Sequence, residues 1–227
     1  MASNRKLYRW FYDHVHSKYY NLLMKWCALP FGSEKRMRQT MLDVVPLRPG
    51  DRVLDMCCGT GNTTFAIAER VGERSEIEGI DLSRGQIKVA SRQNRFPNVR
   101  FMVMDASETC FGEGYFDKVV IPHALHEMSR ATRLAVLTEA KRVLKNGGIL
   151  AIMELDNPPS RLLRLFVGFW CFYWLPFNFE TPTRRDMMRH GVVEEIQEAG
   201  FTEVSKTSLY NGVLQVVQGK KPARAIN

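Results

Sequence analysis

The chain of 227 residues is long enough for one globular domain, and its composition, 45% hydrophobic and 25% charged, excludes a disordered or low-complexity protein. Its 32 Lys and Arg against 24 Asp and Glu give a net charge of +8, which suits an anionic partner without choosing between nucleic acid, a lipid surface and an acidic substrate. The first residues, MASNRKLYRW, lack the apolar stretch of a secretory signal, so we expect a cytoplasmic protein. The five cysteines form no CxxC pair and no zinc-ligand spacing, so we expect reduced thiols and no metal site.

Alternating strands and helices are predicted along most of the chain. Two N-terminal helices come first, at 5–29 and 33–44. They are followed by strands at 52–56, 76–81, 99–104, 117–122 and 148–154, with helices at 62–71, 84–94 and 130–145. Such alternation builds a parallel sheet with right-handed crossovers and helices on both faces.

The last third of the chain departs from this alternation. An aromatic helix is predicted near 161–175, and a second helix, opened by Thr183, near 184–199. Two strands follow at 201–208 and 211–218, and the tight turn that contains Asn-Gly predicts that they pair as an antiparallel hairpin at the sheet edge.

The turn after the first strand, in the stretch DMCCGTGN, lies where open α/β sheets bind their ligands. Gly59 and Gly61 allow a ligand to approach the backbone closely, and the helix that begins near Asn62 points free N–H groups toward an anionic group. Asp81 ends the second strand twenty residues after Gly61, where a carboxylate can accept hydrogen bonds from both hydroxyls of a ribose. The ligand is therefore expected to be a nucleoside.

Three features favour a nucleoside with an amino group over a nicotinamide dinucleotide. Thr64 stands where a dinucleotide fingerprint has its third glycine. Asp55, interpreted as part of the loop, would repel a pyrophosphate but could pair with an amino group. At the end of the third strand, Asp105 and the backbone at Ala106 could bind an adenine edge. Any one of these aspartates could also simply cap a turn.

The ordered motifs VLDMCCGTGN, GIDLS, VMDASE, FDKVVIPHALHEM and VLKNGGILAIME resemble those of class I S-adenosylmethionine-dependent methyltransferases, over residues 8–219. The resemblance implies a Rossmann-like α/β fold, with seven mostly parallel strands, an antiparallel last strand and an N-terminal helical lid, and S-adenosyl-L-methionine as the cofactor. It places Asp55 at the methionine amino group, Asp81 at the ribose and Asp105 at the adenine. The other expected cofactor-binding residues are Cys57, Gly59, Thr60, Gly61, Thr64, Leu82, Ala106 and Pro122.

One methyltransferase domain of residues 1–227 is therefore expected. It divides into a helical lid at 1–45, a cofactor-binding core at 46–155, acceptor-side helices with the edge hairpin at 156–219, and a basic tail at 220–227.

The closer resemblance is to ubiquinone/menaquinone C-methyltransferases, through YDHVHSKYYNLL near the N-terminus and the VLDMCCGTGN loop. Tyr20 replaces an aspartate usual in that group, and IPHALHEM replaces a segment with asparagine, both on the acceptor side. A quinone-type ring is the favoured acceptor. A phospholipid amine, a small thiol or metalloid acceptor, and a non-catalytic cofactor-binding protein remain alternatives. Tyr12 and Tyr19 could form a lid or belong to the core.

His123 and His126 follow the fourth strand and are the expected catalytic residues, because ring methylation needs a base to deprotonate a phenol or hydroquinone. Glu127 could orient such a histidine. The alternative is that these histidines only cap or pack.

The stretch 161–179 is rich in aromatic residues, and its uncharged part is shorter than the ~20 residues that span a bilayer. It suits an interfacial helix, the wall of a pocket for a lipid acceptor, or an ordinary buried helix. A transient membrane contact, on the inner face, is thus one expectation. No motif of nucleic-acid methyltransferases follows the fourth strand, so we expect no nucleic-acid partner, and the oligomeric state is left open.

Overall fold

The structure is a computed structural model, which describes residues 22, 25–169 and 181–223. Most of the predicted N-terminal lid, including Tyr12, Tyr19 and Tyr20, lies outside these residues, as does the stretch 170–180 of the aromatic segment. Within the described part, no helix is both long enough and apolar enough to cross a membrane.

Seven strands of the described residues form one sheet, in the order β3-β2-β1-β4-β5-β7-β6. Their bounds are β1 Arg52–Met56, β2 Glu76–Asp81, β3 Val99–Val103, β4 Phe116–Pro122, β5 Leu144–Leu155, β6 Thr202–Leu209 and β7 Leu214–Lys220. Strands β1 to β5 pair in parallel, and β7 runs antiparallel to both of its neighbours, β5 and β6. The predicted sheet and its edge hairpin are confirmed.

Seven α-helices are described, and those from the middle of the chain cover both faces of the sheet. Their bounds are α1 Glu34–Asp43, α2 Asn62–Val71, α3 Arg84–Gln93, α4 Arg130–Val143, α5 Arg161–Gly168, α6 Thr181–His190 and α7 Val192–Glu198. Neighbouring residues of β4 point to opposite faces: Val119 packs in one core with Leu137 of α4, while Val120 packs in the other with Met41 of α1 and Ile67 of α2. The sheet is therefore buried on both sides, as its apolar strands predicted.

The prediction of one helix near 184–199 is wrong, because the structure has two helices there. Gly191 separates α6 from α7 and has a φ of +85°, a conformation that cannot continue a right-handed helix. The first of the two helices also begins at Thr181 rather than after Thr183.

Two boundaries near glycines also differ from prediction. The helix predicted to end at 145 ends at Val143, and β5 begins at Leu144 with a shift of register that contains Gly147, at a φ of +76°. The Asn-Gly turn lies where it was predicted, but the last strand begins at Leu214 rather than at 211, because Tyr210, Asn211 and Gly212 all have positive φ values, of 52°, 56° and 81°, which a strand does not adopt.

Candidate active site

The turn between β1 and α2 occupies the point where the strand order reverses, with β2 on one side of β1 and β4 on the other. It is tied to the sheet because the N–H of Cys58 donates to the carbonyl oxygen of Ile80 at 2.9 Å. Gly61 caps α2 with a φ of +83°, and a Cβ there would lie 2.8 Å from Cζ of Phe101. Both the backbone conformation and the space therefore require glycine at this position.

The two cysteines of the turn have different surroundings. Cys57 adopts a φ of +63°, which is uncommon for a residue with a side chain. Cys58 is buried, and burial, with Asp55 nearby, raises the pKa of its thiol well above the ordinary value. Cys58 thus stays a protonated thiol, which suits a packing role.

Asp55 lies within β1, not in the loop as the sequence interpretation had it, and is fully buried. Its Oδ2 accepts a hydrogen bond from Oγ1 of Thr64 at 2.6 Å, while Oδ1 has no hydrogen-bond partner among the described residues. Burial raises the pKa of Asp55 to about 7, although Thr64 and Arg38 act in the opposite direction. A buried carboxylate oxygen without a donor is costly, and a cationic amino group would satisfy it.

Asp81 joins the first two loops of this edge. Its Oδ2 accepts from the N–H of Gly59 at 2.9 Å, and its Oδ1 accepts from the N–H of Ser83 at 2.8 Å. These two contacts fix the orientation of the carboxylate at the end of β2. Leu82, beside it, is 47% exposed.

The remaining predicted cofactor residues lie along the same edge of the sheet. Asp105 is exposed just after β3, and its Oδ1 accepts from both the N–H and the Oγ of Ser107, at 2.9 and 2.7 Å. This Asx turn orients the carboxylate where the chain leaves the strand. The others, all buried, are Thr60, Thr64, Ala106 and Pro122.

His126 pairs with a buried carboxylate beyond the end of β4. It lies in a 3-10 turn, Leu125–Glu127, directly after β4, and its Nδ1 is 2.9 and 3.0 Å from the two carboxylate oxygens of Glu154. Glu154 is fully buried on β5 and also accepts from the backbone N–H groups of His126 and Leu155, at 3.2 and 2.8 Å. The carboxylate beside Nδ1 of His126 is thus that of Glu154. The role of Glu127 in orienting a histidine stays a prediction.

The Glu154 carboxylate stays ionised. Burial is the largest single effect and raises its pKa, but His126, His123 and the N–H of Leu155 together lower it by more, so the pKa lies below the ordinary value. An ionised carboxylate at Nδ1 favours the imidazole tautomer with its proton on that nitrogen, which makes Nε2 a proton acceptor. This is the arrangement of a general base.

His123 has a different environment. Its backbone has a φ of +50°, and its N–H donates to the carbonyl oxygen of Met153 at 2.7 Å. Its Nε2 is buried with no hydrogen-bond partner among the described residues, and burial lowers the pKa of the ring to about 4. His123 is therefore neutral near pH 7 and is a weaker base than an ordinary histidine, which suits hydrogen bonding to a ligand better than proton abstraction.

Glu154 and Arg38 were not predicted from the sequence. Glu154 ends the apolar strand motif AIME, and a glutamate inside such a strand was the available signal. Arg38 is buried on α1 and lowers the pKa of both Asp55 and His123. Its position in a polar helix, RMRQT, gave no such signal.

Comparison with known proteins identifies a family. The ubiE/COQ5 methyltransferase family matches residues 2–181. An uncharacterized methyltransferase of Synechocystis is 33% identical over 210 residues, covering 88% of this chain and 90% of that protein. A demethylmenaquinone methyltransferase of Staphylococcus aureus is 27% identical over 232 residues, covering 92% and 93%.

Solved structures have the same fold. A SAM-dependent methyltransferase of Aquifex aeolicus matches with a TM-score of 0.63 at 20% identity, covering 81% of this chain and 89% of that one. A phosphoethanolamine N-methyltransferase of Haemonchus contortus, in complex with S-adenosyl-L-methionine, matches with a TM-score of 0.65 at 15% identity, covering 94% and 60%.

Proposed function

The chain belongs to the ubiE/COQ5 methyltransferase family and is an S-adenosylmethionine-dependent methyltransferase, and we propose that it methylates a lipophilic acceptor with a quinone-type ring, using His126 as the general base. The observation that carries the proposal is the pair of His126 and buried Glu154 at the ends of β4 and β5. Because β4 is paired with β1, this base lies on the same sheet edge as the glycine turn.

The residues of the turn fit the cofactor. The Oδ1 of Asp55 is a buried acceptor that a cationic amino group would satisfy, and the carboxylate of Asp81 is held by two backbone N–H groups. Bound S-adenosylmethionine supplies an activated methyl group on a sulfonium, so the protein mainly has to bind, align and exclude water.

Proton removal from the acceptor is the step that the residues of this chain would perform. Nε2 of His126 would accept the proton of a ring hydroxyl, and Glu154 would stabilise the positive charge that forms on the imidazole. His123, neutral near pH 7, would donate or accept a hydrogen bond at the acceptor. The assignment of a ring acceptor is supported by this base and by the similarity to a demethylmenaquinone methyltransferase.

A labelled-methyl assay tests the acceptor. The protein is incubated with methyl-labelled S-adenosylmethionine and either a hydroquinone with a prenyl chain or a total lipid extract. We expect label in the hydroquinone, and a loss of about a hundredfold or more in His126→Gln without a change in the affinity for S-adenosylhomocysteine. Label only in phospholipid amines or in small thiols would replace the ring acceptor, and no product from any extract would indicate a non-catalytic binding protein.

We also propose that the protein works at the inner face of the membrane, as a peripheral cytoplasmic protein. Four apolar residues share one face of α5 and its C-cap, and Leu162 and Leu165 are 78% and 72% exposed, with Phe166 and Phe169 beside them. Arg161 and Arg164 belong to the same helix. An apolar face accompanied by arginines suits the interface of an anionic bilayer, and a lipophilic acceptor would be drawn from it.

Vesicle co-sedimentation tests the membrane contact. We expect binding to vesicles that contain phosphatidylglycerol, weaker binding at high salt, and a clear loss in Leu162→Glu. Met188→Glu, which changes an exposed apolar residue on α6, is the matched control and should bind as the unmodified protein does. Equal sedimentation of all three proteins, or none, would contradict the proposal.

A further inference from the structure

Helix α1 carries a buried ion pair. Glu34 and Arg38 lie one turn apart, and only 9% and 6% of their surfaces are exposed. The Oε1 of Glu34 accepts from Nε and Nη2 of Arg38, at 3.0 and 2.9 Å. Charged residues are seldom so deeply buried without a specific role, because desolvation costs several kcal/mol for each ion.

This pair is joined to the first turn of α2, immediately after Gly61. Nη1 of Arg38 donates to Oγ1 of Thr63, and Nδ2 of Asn62 donates to the same Oε1 of Glu34 at 2.8 Å. These contacts connect α1 directly to the helix N-terminus whose N–H groups face the ligand site. A loss of the pair would therefore loosen the turn itself.

Arg38 also places a positive charge near Asp55, because it donates to Thr63, and the next residue, Thr64, donates to Asp55. The other groups that act on this carboxyl are Thr64 of α2, which donates to it, and Asp81 of β2, whose negative charge opposes ionisation. The thiol of Cys58, on the same loop, stays neutral. Among these groups, only Arg38 contributes a positive charge, and it favours the ionised form of Asp55.

We infer that Arg38 is a positioning residue of the cofactor site: with Glu34 it orders the first turn of α2, and its charge keeps Asp55 ready to bind the amino group of the cofactor. The inference rests on the proposed assignment of Asp55 to that amino group. By this inference, α1 contributes to the cofactor site both through the charge of Arg38 and through its contacts with α2.

Calorimetric titration with S-adenosylhomocysteine at about pH 6 and about pH 8.5 tests this role without turnover. Binding to the ionised form of Asp55 weakens as the pH falls through its pKa, about 7. In Arg38→Met this pKa moves up, so the affinity should fall roughly tenfold more at the lower pH than at the higher one. Arg38→Lys keeps the charge, and it should restore the pH dependence of the unmodified protein even if its overall affinity is lower.

Two further variants separate charge from packing. Arg70→Met removes an ion pair with Asp43 that joins α1 and α2 at their other ends, at 2.5 Å, and should leave the pH dependence unchanged. Glu34→Gln leaves the charge of Arg38 uncompensated, so it should favour ionised Asp55 and reduce the loss of affinity at low pH. This variant has the opposite sign from Arg38→Met, and it tests the charge effect if Arg38→Met does not fold.

The outcomes distinguish failure of the inference from failure of the assignment. If Arg38→Met loses affinity by the same factor at both pH values, Arg38 is only a structural tether and the inference is wrong. If Asp55→Asn binds S-adenosylhomocysteine as tightly as the unmodified protein at both pH values, the assignment of Asp55 itself is wrong, whatever Arg38 does.

Discussion

Replacing Asp55 by asparagine should stabilise the ligand-free protein at alkaline pH, although it removes a group assigned to cofactor binding. Asp55 is fully buried, and burial raises its pKa from 3.8 to about 7. The folded protein therefore holds this proton more tightly than the unfolded chain does. The stability that the proton contributes is fully present below about pH 4 and is lost as the pH rises through about 7. Asparagine is neutral at every pH, so the variant has no corresponding loss of stability as the pH rises.

The size of the effect follows from the interval between the two pKa values. Between about pH 5 and pH 7 the unfolded chain is ionised at Asp55 and the folded protein is not, so each pH unit costs ~1.4 kcal/mol. The unmodified protein should lose about 2.5 kcal/mol relative to Asp55→Asn between pH 5 and pH 8. His123, whose pKa burial lowers to about 4, titrates in the opposite direction in both proteins. The comparison is therefore the difference between the two proteins at each pH.

Urea unfolding of both proteins, stripped of bound nucleoside, measures this difference. We expect the advantage of Asp55→Asn in free energy of unfolding to be larger at about pH 8 than at about pH 5, by the amount given above. A difference between the proteins that is the same at both pH values would show that Asp55 is already ionised in the fold. The account of its buried, unpartnered oxygen would then be refuted.

Three other substitutions probe the rest of the structure. Glu154→Gln should lower methyl transfer about a hundredfold at unchanged affinity for S-adenosylhomocysteine, and unchanged turnover would rule out the paired base. Gly61→Ala places a Cβ against the Phe101 ring at a φ of +83°, so it should cost about 1–3 kcal/mol in urea unfolding, and Phe101→Leu should recover part of that loss. Arg133→Met leaves buried Glu195 without the guanidinium that donates to both of its carboxylate oxygens, so it should cost about 3–5 kcal/mol with cofactor affinity unchanged, and a loss below ~1 kcal/mol would contradict this.

The core of the fold could be predicted because its signals are local. Short segments of five to seven residues with apolar side chains at their centre or at alternate positions mark β1, β2 and β4, and serines that cap α3 and α4 lie where each helix begins. The carboxylates Asp81 and Asp105 could also be located, since they lie at and just after the end of a strand, whereas Asp55 was placed in the loop and lies within β1. The protonation state of Asp55 could not be predicted from the sequence, because the burial that raises its pKa comes from elements distant in sequence.

The break at Gly191 shows where a local signal was insufficient. Glycine within an amphipathic pattern is tolerated in some helices and ends others. Here α7 turns back so that Glu195 reaches Arg133, at 2.6 Å, and that contact spans sixty-two residues of sequence. The sequence pattern of α6 and α7 alone does not predict this contact.

The roles of the two histidines depend on tertiary contacts in the same way. His123 and His126 are three residues apart, and their sequence context gives no reason to assign them different chemistry. In the fold, β5 lies beside β4 and brings Glu154 to Nδ1 of His126, whereas His123 is buried with its Nε2 unpartnered among the described residues. A carboxylate hydrogen-bonded to one ring nitrogen makes the other a better base, whereas burial, which outweighs the charge of Glu154 on His123, makes an imidazole a poorer one. The pairing of β4 with β5 therefore gives His126, and not His123, the hydrogen-bonded carboxylate that the proposed general base requires.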